Sequence, residues 1–385
     1  MRGVWAVAMD SLRAIATKPI YWVGIFALPL FTFLLITSLM EEGLPEKVPA
    51  GIVDRDGTAL SRQVTQTLGG MQLVDLVESP NSFTEARHMM QEGKIYGYFM
   101  IPENFQADLL AGKTPDITFY TNMTYYVPGS LLFKTFKSTA VYTKAGVVVK
   151  LMETAGVNDA PTSLLQPVNV SARPIGNPWL NYGIYLANSF VPAVLQLMIM
   201  LMTCYSLGET IKYKTSPHML SLAGGSVYKA VFGRLLPQTL IWIVIALFMQ
   251  VWLFKFNHYP MHGSWTWMTV SQVMFVLASQ GFALFFFCLL PNLRLSLSVC
   301  ALLGVLSFSL AAFSFPYESM YPAMGIFSWI LPIRYNFLIY IDQALNGREI
   351  YYSRIWYVAY IVFIILPVFT VWRLKKEFAT PVYTP

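Results

Sequence analysis

Charge is what this chain has least of. Only 12% of its 385 residues are Asp, Glu, Lys or Arg, where a soluble domain carries about a quarter. With 56% hydrophobic residues and a mean hydropathy of +0.52, that deficit excludes an ordinary water-soluble protein and points to lipid. Cysteine is scarce as well. Cys204, Cys288 and Cys300 all lie inside apolar runs, with no CxxC spacing and no nearby His, so they read as small core residues and not as a disulfide framework or zinc site. A Walker A motif is missing too. Ala111-Gly112-Lys113-Thr114 ends like one, but the position that needs the first Gly is Ala107, and the segment leads from a helix into a strand. It reads as a turn, so no ATP is bound through such a motif here. The net charge of +6 does not imply nucleic acid, because the basic residues stand at the ends of apolar runs, where they anchor and orient membrane spans.

What is present is six such runs. A helix needs about 20 apolar residues to cross a bilayer. Residues 21–39, 182–207, 235–254, 265–290, 295–315 and 355–372 meet that need, each fenced by charges. Residues 1–20 carry Arg2, Asp10, Arg13 and Lys18 among apolar residues at roughly helical spacing, the pattern of an interfacial amphipathic helix leading into a retained first span. Orientation follows from Lys and Arg in short loops. Arg2, Arg13, Lys18, Lys212, Lys214, Lys229, Arg234, Arg294, Arg373, Lys375 and Lys376 fall on one side, and only Lys255, Arg334, Arg348 and Arg354 on the other. The bias predicts both termini, the tail 373–385 and the polar stretch 208–234 in the cytoplasm.

Residues 40–180 are too polar to span and long enough to form a domain. A strand at 50–53 leads to turn chemistry at Asp54, Asp56 and Gly57, with Thr58 or Ser61 as helix cap. A strand, a helix, a strand at 95–101, a helix at 103–110 and a strand at 116–120 follow. That alternation predicts an extracytoplasmic α/β domain between the first and second spans, continued by a helical pattern over 128–156. Asp54 and Asp56 lack the further acidic ligands of a Ca²⁺ loop and read as turn formers. His258 and His262 flank Tyr259 and Pro260 beside Trp265 and Trp267, an interfacial aromatic belt in character and not a metal site.

Between the last two spans, the apolar stretch 316–350 is broken by Pro316, Pro322 and Pro332 and carries Glu318, Arg334 and Asp342. Two apolar pieces too short to span predict a re-entrant or interfacial hairpin on the external side. Arg334 and Asp342 are eight apart, two helical turns, and are expected on one face. They read either as a pair snorkelling to the interface or, with Glu318, as polar lining of an exit path.

Several stretches resemble the permease subunit of type-2 ABC exporters, in the long-ectodomain subgroup. "GIVDRDGTALSRQVTQTL" and "GYFMIPENFQADLLAGKTPDITFYTN" are similar to the family's ectodomain elements. "NPWLNYGIYLANSFVPAVLQ" is similar to its approach to the second span, and "FPYESMYPAMGIFSWILPIRYNFLIYIDQALNG" to its hairpin. The family carries a Glu, a Gly-Thr, a Leu-rich amphipathic piece and a Gly-Lys entry to the next span. This chain has Glu209, Thr215 after Lys214 in the usual place of Gly, and Gly233-Arg234. The resemblance implies a coupling helix around Pro217 and Leu220, with Glu209, Lys212, Lys214 and Thr215 at its entry, seated on a separate ATPase that binds ATP and Mg²⁺. It further implies a dimer with a second copy or homologue, a periplasmic adaptor protein as a partner, location in a bacterial inner membrane, and an amphipathic or bulky cargo such as a drug or lipid. Without a nucleotide site, the chain must draw free energy from a partner that changes shape. The competing classes are a membrane-embedded lipid-modifying enzyme, which needs titratable groups in its spans, and a sensor, which needs a cytoplasmic output domain.

Overall fold

The computed structural model describes residues 2–41, 43, 47–78, 80–111, 113, 115–125, 127–139, 177, 181–313 and 317–382. In chain order it contains helix α1 (Arg2–Thr17), α2 (Pro19–Leu39), strand β1 (Val48–Asp54), α3 (Ala59–Gly69), β2 (Val74–Glu78), α4 (Phe83–Gln91), β3 (Gly97–Ile101), α5 (Phe105–Leu110), β4 (Thr118–Thr121) and α6, a helix over 127–139. Then come α7 (Gly183–Lys212), α8 (Ser216–Leu222), α9 (Val227–Phe256), α10 (Trp265–Leu289), α11 (Leu293–Leu310), α12 (Pro322–Ser328), α13 (Pro332–Leu345) and α14 (Ile350–Ala379). The chain divides into two compact units, Met1–Gly43 with Pro174–Pro385, and Leu44–Arg173.

The first unit is a helical bundle. Among the described residues α2, α7, α9, α10, α11 and α14 are long and apolar enough to cross a membrane, so the protein is an α-helical polytopic membrane protein with about six apolar helices. α7 and α10 are its most enclosed helices, each two-thirds buried, and side-chain amides join them to their neighbours. Gln196 Nε2 donates to Ser307 Oγ at 3.1 Å, Gln238 Nε2 to Thr203 Oγ1 at 3.3 Å, and Thr239 Oγ1 to Gln280 Oε1 at 2.6 Å. Between apolar surfaces that lipid would cover equally well, such interhelical hydrogen bonds are what favours one packing. Cys204, Cys288 and Cys300 are free and buried.

The prolines of the 316–350 stretch act as expected at two sites. Pro322 opens α12 and Pro332 opens α13, each at the helix position that loses least from a missing N–H. The two helices are bent by 79° across the break. α13 ends in a wide turn over Tyr340–Leu345. The loop 257–264 has no helix, and its His262 N–H donates to Ala344 O at 2.9 Å.

The second unit is built on a four-stranded sheet in the order β2-β1-β3-β4. β1 runs parallel to β2 and β3, and β4 is antiparallel to β3. β1 is central and almost wholly buried, which is why its run reads as continuously apolar. Tyr98 and Tyr120 are register partners with stacked rings 4.9 Å apart, a cross-strand pair worth roughly 0.2–1 kcal/mol. Thr58 caps α3, accepting from Ser61 N–H at 3.3 Å. Asp54 Oδ1 accepts the N–H groups of Asp56 and Gly57, both at 3.0 Å, and its Oδ2 accepts from Ser61 Oγ at 2.6 Å. Asp54 is thereby saturated by its own turn.

Lys113 follows α5, and its ammonium is held 2.8 Å from Asp108 Oδ1. That bond and the carboxylate's charge raise the Lys113 pKa above its ordinary value. The expected helix beyond 139, with Lys144 and Lys150, lies outside the described residues, as do Gly112, Thr114 and Pro316.

Candidate functional site: a charge cluster behind a short amphipathic helix

The polar stretch 208–234 is shorter as a loop than its charges suggested. α7 continues through Lys212 and α9 begins at Val227, so only about a dozen residues, with α8 among them, join the two spans. Glu209 therefore stands on the last turns of a span, not in a loop. It is 2% exposed, and the carboxylate turns inward. Arg234, 4% exposed, points at it from α9, its Nη2 donating to Glu209 Oε1 and its Nε to Ser206 O at 3.2 Å.

From α2, Tyr21 Oη donates to Glu209 Oε1 at 2.6 Å. Lys18, just before α2, places Nζ 2.7 Å from Glu209 Oε2. α1 closes the cluster, with Asp10 Oδ2 3.8 Å from Arg234 Nη1 and Ser11 Oγ donating to Arg234 O at 2.7 Å. Two carboxylates meet two cations, and every charged group has a partner. That is the condition under which a buried ion pair is tolerated.

Backbone contact reinforces the junction. A Cβ on Gly233 would lie 2.8 Å from Val4 O, and one on Gly3 would lie 3.0 Å from Leu222 O. Glycine at both positions lets α1 rest directly on α9 and on the end of α8. A polar cavity of ≈320 Å³ remains beside the cluster, lined by Asp10, Arg13, Lys18, Glu209, His218 and Arg234.

α8 itself is amphipathic. Ser216 and Met219 are buried, Leu220 is half-buried against the bundle core, and Pro217, His218 and Ser221 face outward. Lys212 and Lys214 are exposed at its entry, with Lys212 Nζ 5.4 Å from the Tyr213 ring centroid. Lys214 has φ +55°, the left-handed region where glycine is the unstrained choice. The departure from the family's Gly thus falls at a position that physically prefers Gly. Thr215 is exposed, and its N–H donates to Thr210 O at 2.8 Å. Of the sequence-predicted residues, Lys212, Lys214, Thr215 and Pro217 are presented outward, while Glu209 and Leu220 belong to the bundle. Lys18, Tyr21 and Arg234, the partners that give Glu209 its role, were legible only as span-end residues.

At the 316–350 stretch the expected Arg334–Asp342 pairing does not form. The wide turn over Tyr340–Leu345 breaks the 3.6-residue phase between them. Asp342 instead accepts from Arg348 Nη1 at 3.1 Å, Ser353 Oγ at 3.1 Å and Trp356 Nε1 at 3.3 Å, bracing the end of α13 against α14. Arg334 is stacked on Trp329, with its guanidinium carbon 4.0 Å from the ring centroid. Glu318 is exposed. Among the described residues, no group of three His, Cys, Asp or Glu is placed to hold a metal ion.

A bundle of about six apolar helices agrees with comparison to known proteins. Residues 19–372 match the family described as ABC-2 family transporter protein. The chain belongs to that family. Over 119 residues, 31% of this ABC-2 permease chain and 30% of the relative, it is 29% identical to the linearmycin resistance permease protein LnrN of Bacillus subtilis (strain 168). The match therefore spans less than a third of that relative's length.

Proposed function

We propose that this ABC-2 permease is the membrane subunit of an ATP-driven exporter that moves an amphipathic or bulky molecule, such as a drug or lipid, outward. A separate ATPase subunit, which binds ATP and Mg²⁺, powers it. The observation that carries the reading is the Glu209–Arg234–Lys18 cluster. It ties α1, α2, α7 and α9 together immediately behind α8, so a push on the outward side of α8 moves a block of helices and not one flexible loop. The resistance permease name of the Bacillus relative supports an outward direction. The excess of Lys and Arg at the α8 end of the bundle supports a cytoplasmic position for α8 and both termini in a bacterial inner membrane. On that topology the α/β unit Leu44–Arg173 is extracytoplasmic, where it is available to an adaptor protein. The working unit is a dimer of this chain with a second copy or a homologue.

The test uses the outward face of α8. Because the three natural cysteines are buried, Ser221→Cys supplies an accessible thiol there. Co-expressed with its ATPase, this variant is expected to cross-link to that subunit, and the cross-link is expected to arrest ATP-driven efflux from inverted vesicles. An ATPase that neither co-purifies with the chain nor cross-links at position 221 overturns the reading. Charge reversal at Glu209 is the wrong test, since it strikes the core of the bundle and not the docking face.

A further inference from the structure

Among the described residues, Arg334 is a buried cation with no ion-pair partner. Its side chain is 5% exposed, and an arginine stays protonated in proteins, so it cannot shed its charge to suit an apolar site. Its Nε is buried with no hydrogen-bond partner. A single long hydrogen bond, Nη1 to Ala311 O at 3.4 Å, engages the rest of the fork, which offers five N–H donors. Among the described residues no carboxylate lies within ion-pair distance of it. Asp342 is already occupied by Arg348, Ser353 and Trp356. Arg334 also sits in the first turn of α13, the end at which the helix dipole is itself positive. The acidic group that acts on it is the exposed Glu318, next to Tyr317 in sequence and beyond ion-pair distance.

What surrounds the guanidinium is aromatic. The Trp329 and Tyr317 ring centroids are 4.0 Å and 5.0 Å from its central carbon. Trp356 stacks on Trp329 with centroids 5.7 Å apart, and Tyr335 lies 6.2 Å from Trp356. Cation–π contact offsets part of the burial cost but gives the buried Nε–H no acceptor. On the outside of α12, Met324, Ile326 and Phe327 are exposed and apolar. A guanidinium fork with an unpartnered buried Nε and one long hydrogen bond, beside an apolar, aromatic surface, is complementary to an oxyanion carried on a hydrophobic body.

We propose that Arg334 is the receptor for an oxyanion, phosphate or carboxylate, of an amphiphilic molecule, with Tyr317, Trp329, Tyr335 and Trp356 as its aromatic walls. The assignment deepens the export reading by naming the chemistry recognised at the broken helix pair. As a binding site it stands whether the molecule is a resident phospholipid or a transported acid.

The test is tryptophan quenching of the chain with its ATPase, reconstituted in nanodiscs of phosphatidylcholine. Brominated phosphatidylglycerol, brominated stearate and brominated phosphatidylcholine are titrated separately, and the site's share is the part lost in Trp329→Phe. Saturable quenching by phosphatidylglycerol assigns the site to a lipid headgroup. Quenching by stearate without phosphatidylglycerol assigns it to a free acid. In either case Arg334→Gln is expected to weaken the effect about tenfold or more, with Arg334→Lys intermediate, while quenching by phosphatidylcholine is unchanged. Equal quenching in Arg334→Gln overturns the proposal, as does a structure of the dimer with the second copy's carboxylate against the guanidinium. ATP-driven efflux is followed in the same preparations. Loss of efflux with binding intact rejects the export reading alone, and loss of the Arg334-dependent binding with efflux intact rejects only this site.

Discussion

Two buried arginines mark the two ends of this bundle, and they are equally enclosed, Arg234 at 4% and Arg334 at 5% exposure. Around Arg234 stand Glu209, Asp10, Tyr21 and a backbone carbonyl. Around Arg334 stand two rings and a long bond to one carbonyl. Burial alone therefore says little about what a charge does. A cation whose donors are all answered by its own chain locks that chain together. A cation left unanswered is a place where something else binds.

The contrast can be broken by substitution. The largest effect is expected for Glu209→Gln, which leaves Arg234 and Lys18 without their shared carboxylate and costs about 3–5 kcal/mol. It should be read as a lower melting temperature and reduced monodisperse yield in detergent. A Glu209→Met/Arg234→Met double variant should recover most of that loss. If the double is no better than the single, the cluster is not the lock described here. Gly233→Ala should follow, since its Cβ meets Val4 O at 2.8 Å and Val7 Cβ at 2.9 Å. Overpacking of this kind costs about 1–3 kcal/mol and should free α1 to protease cleavage before the rest of the bundle unfolds. Lys214→Gly should act in the opposite direction, relieving a left-handed backbone by about 1 kcal/mol and raising the melting temperature without moving α8. Smallest is Arg334→Met, where no ion pair is lost and stability should stay within about 1 kcal/mol of wild type or rise. A fall as large as that of Glu209→Gln would make the two ends alike and remove the distinction.

Much of the scaffold was legible in the sequence because hydropathy and turn chemistry are local. Each of the six spans overlaps one observed apolar helix, with ends that differ by as many as eight residues, at 235 against Val227. The strand–helix alternation read over residues 50–120 has the order the structure contains, and Asp54, Asp56, Gly57 and Thr58 mark its first turn and cap.

The candidate site was legible only in outline. In the linear sequence a charge beside an apolar run reads as a fence at the membrane boundary, a rule that holds for groups facing water. Glu209 and Arg234 face each other, 25 residues apart in sequence, and nothing in a linear pattern distinguishes a pair from two fences. Arg334 and Asp342 were assigned one face by counting turns of an ideal helix, and the wide turn after Ile339 spoils that count. The interhelical amides of Gln196, Gln238 and Gln280 were passed over because they carry no charge.

The brace on Asp342 has a mechanical consequence. α13 is clamped at its far end through Arg348, Ser353 and Trp356, and the loop 257–264 is stitched to it through Ala344. Among the described residues α12 has no such side-chain hydrogen bonds to α14, and most of its residues are exposed. Of the two halves of the bent pair, α13 is the more firmly braced, and the three residues between them join at Trp329, whose carbonyl accepts from Tyr335 Oη at 2.7 Å. Trp329, the ring closest to Arg334, sits in that joint, so the position of α12 and the stacking on the guanidinium are set together.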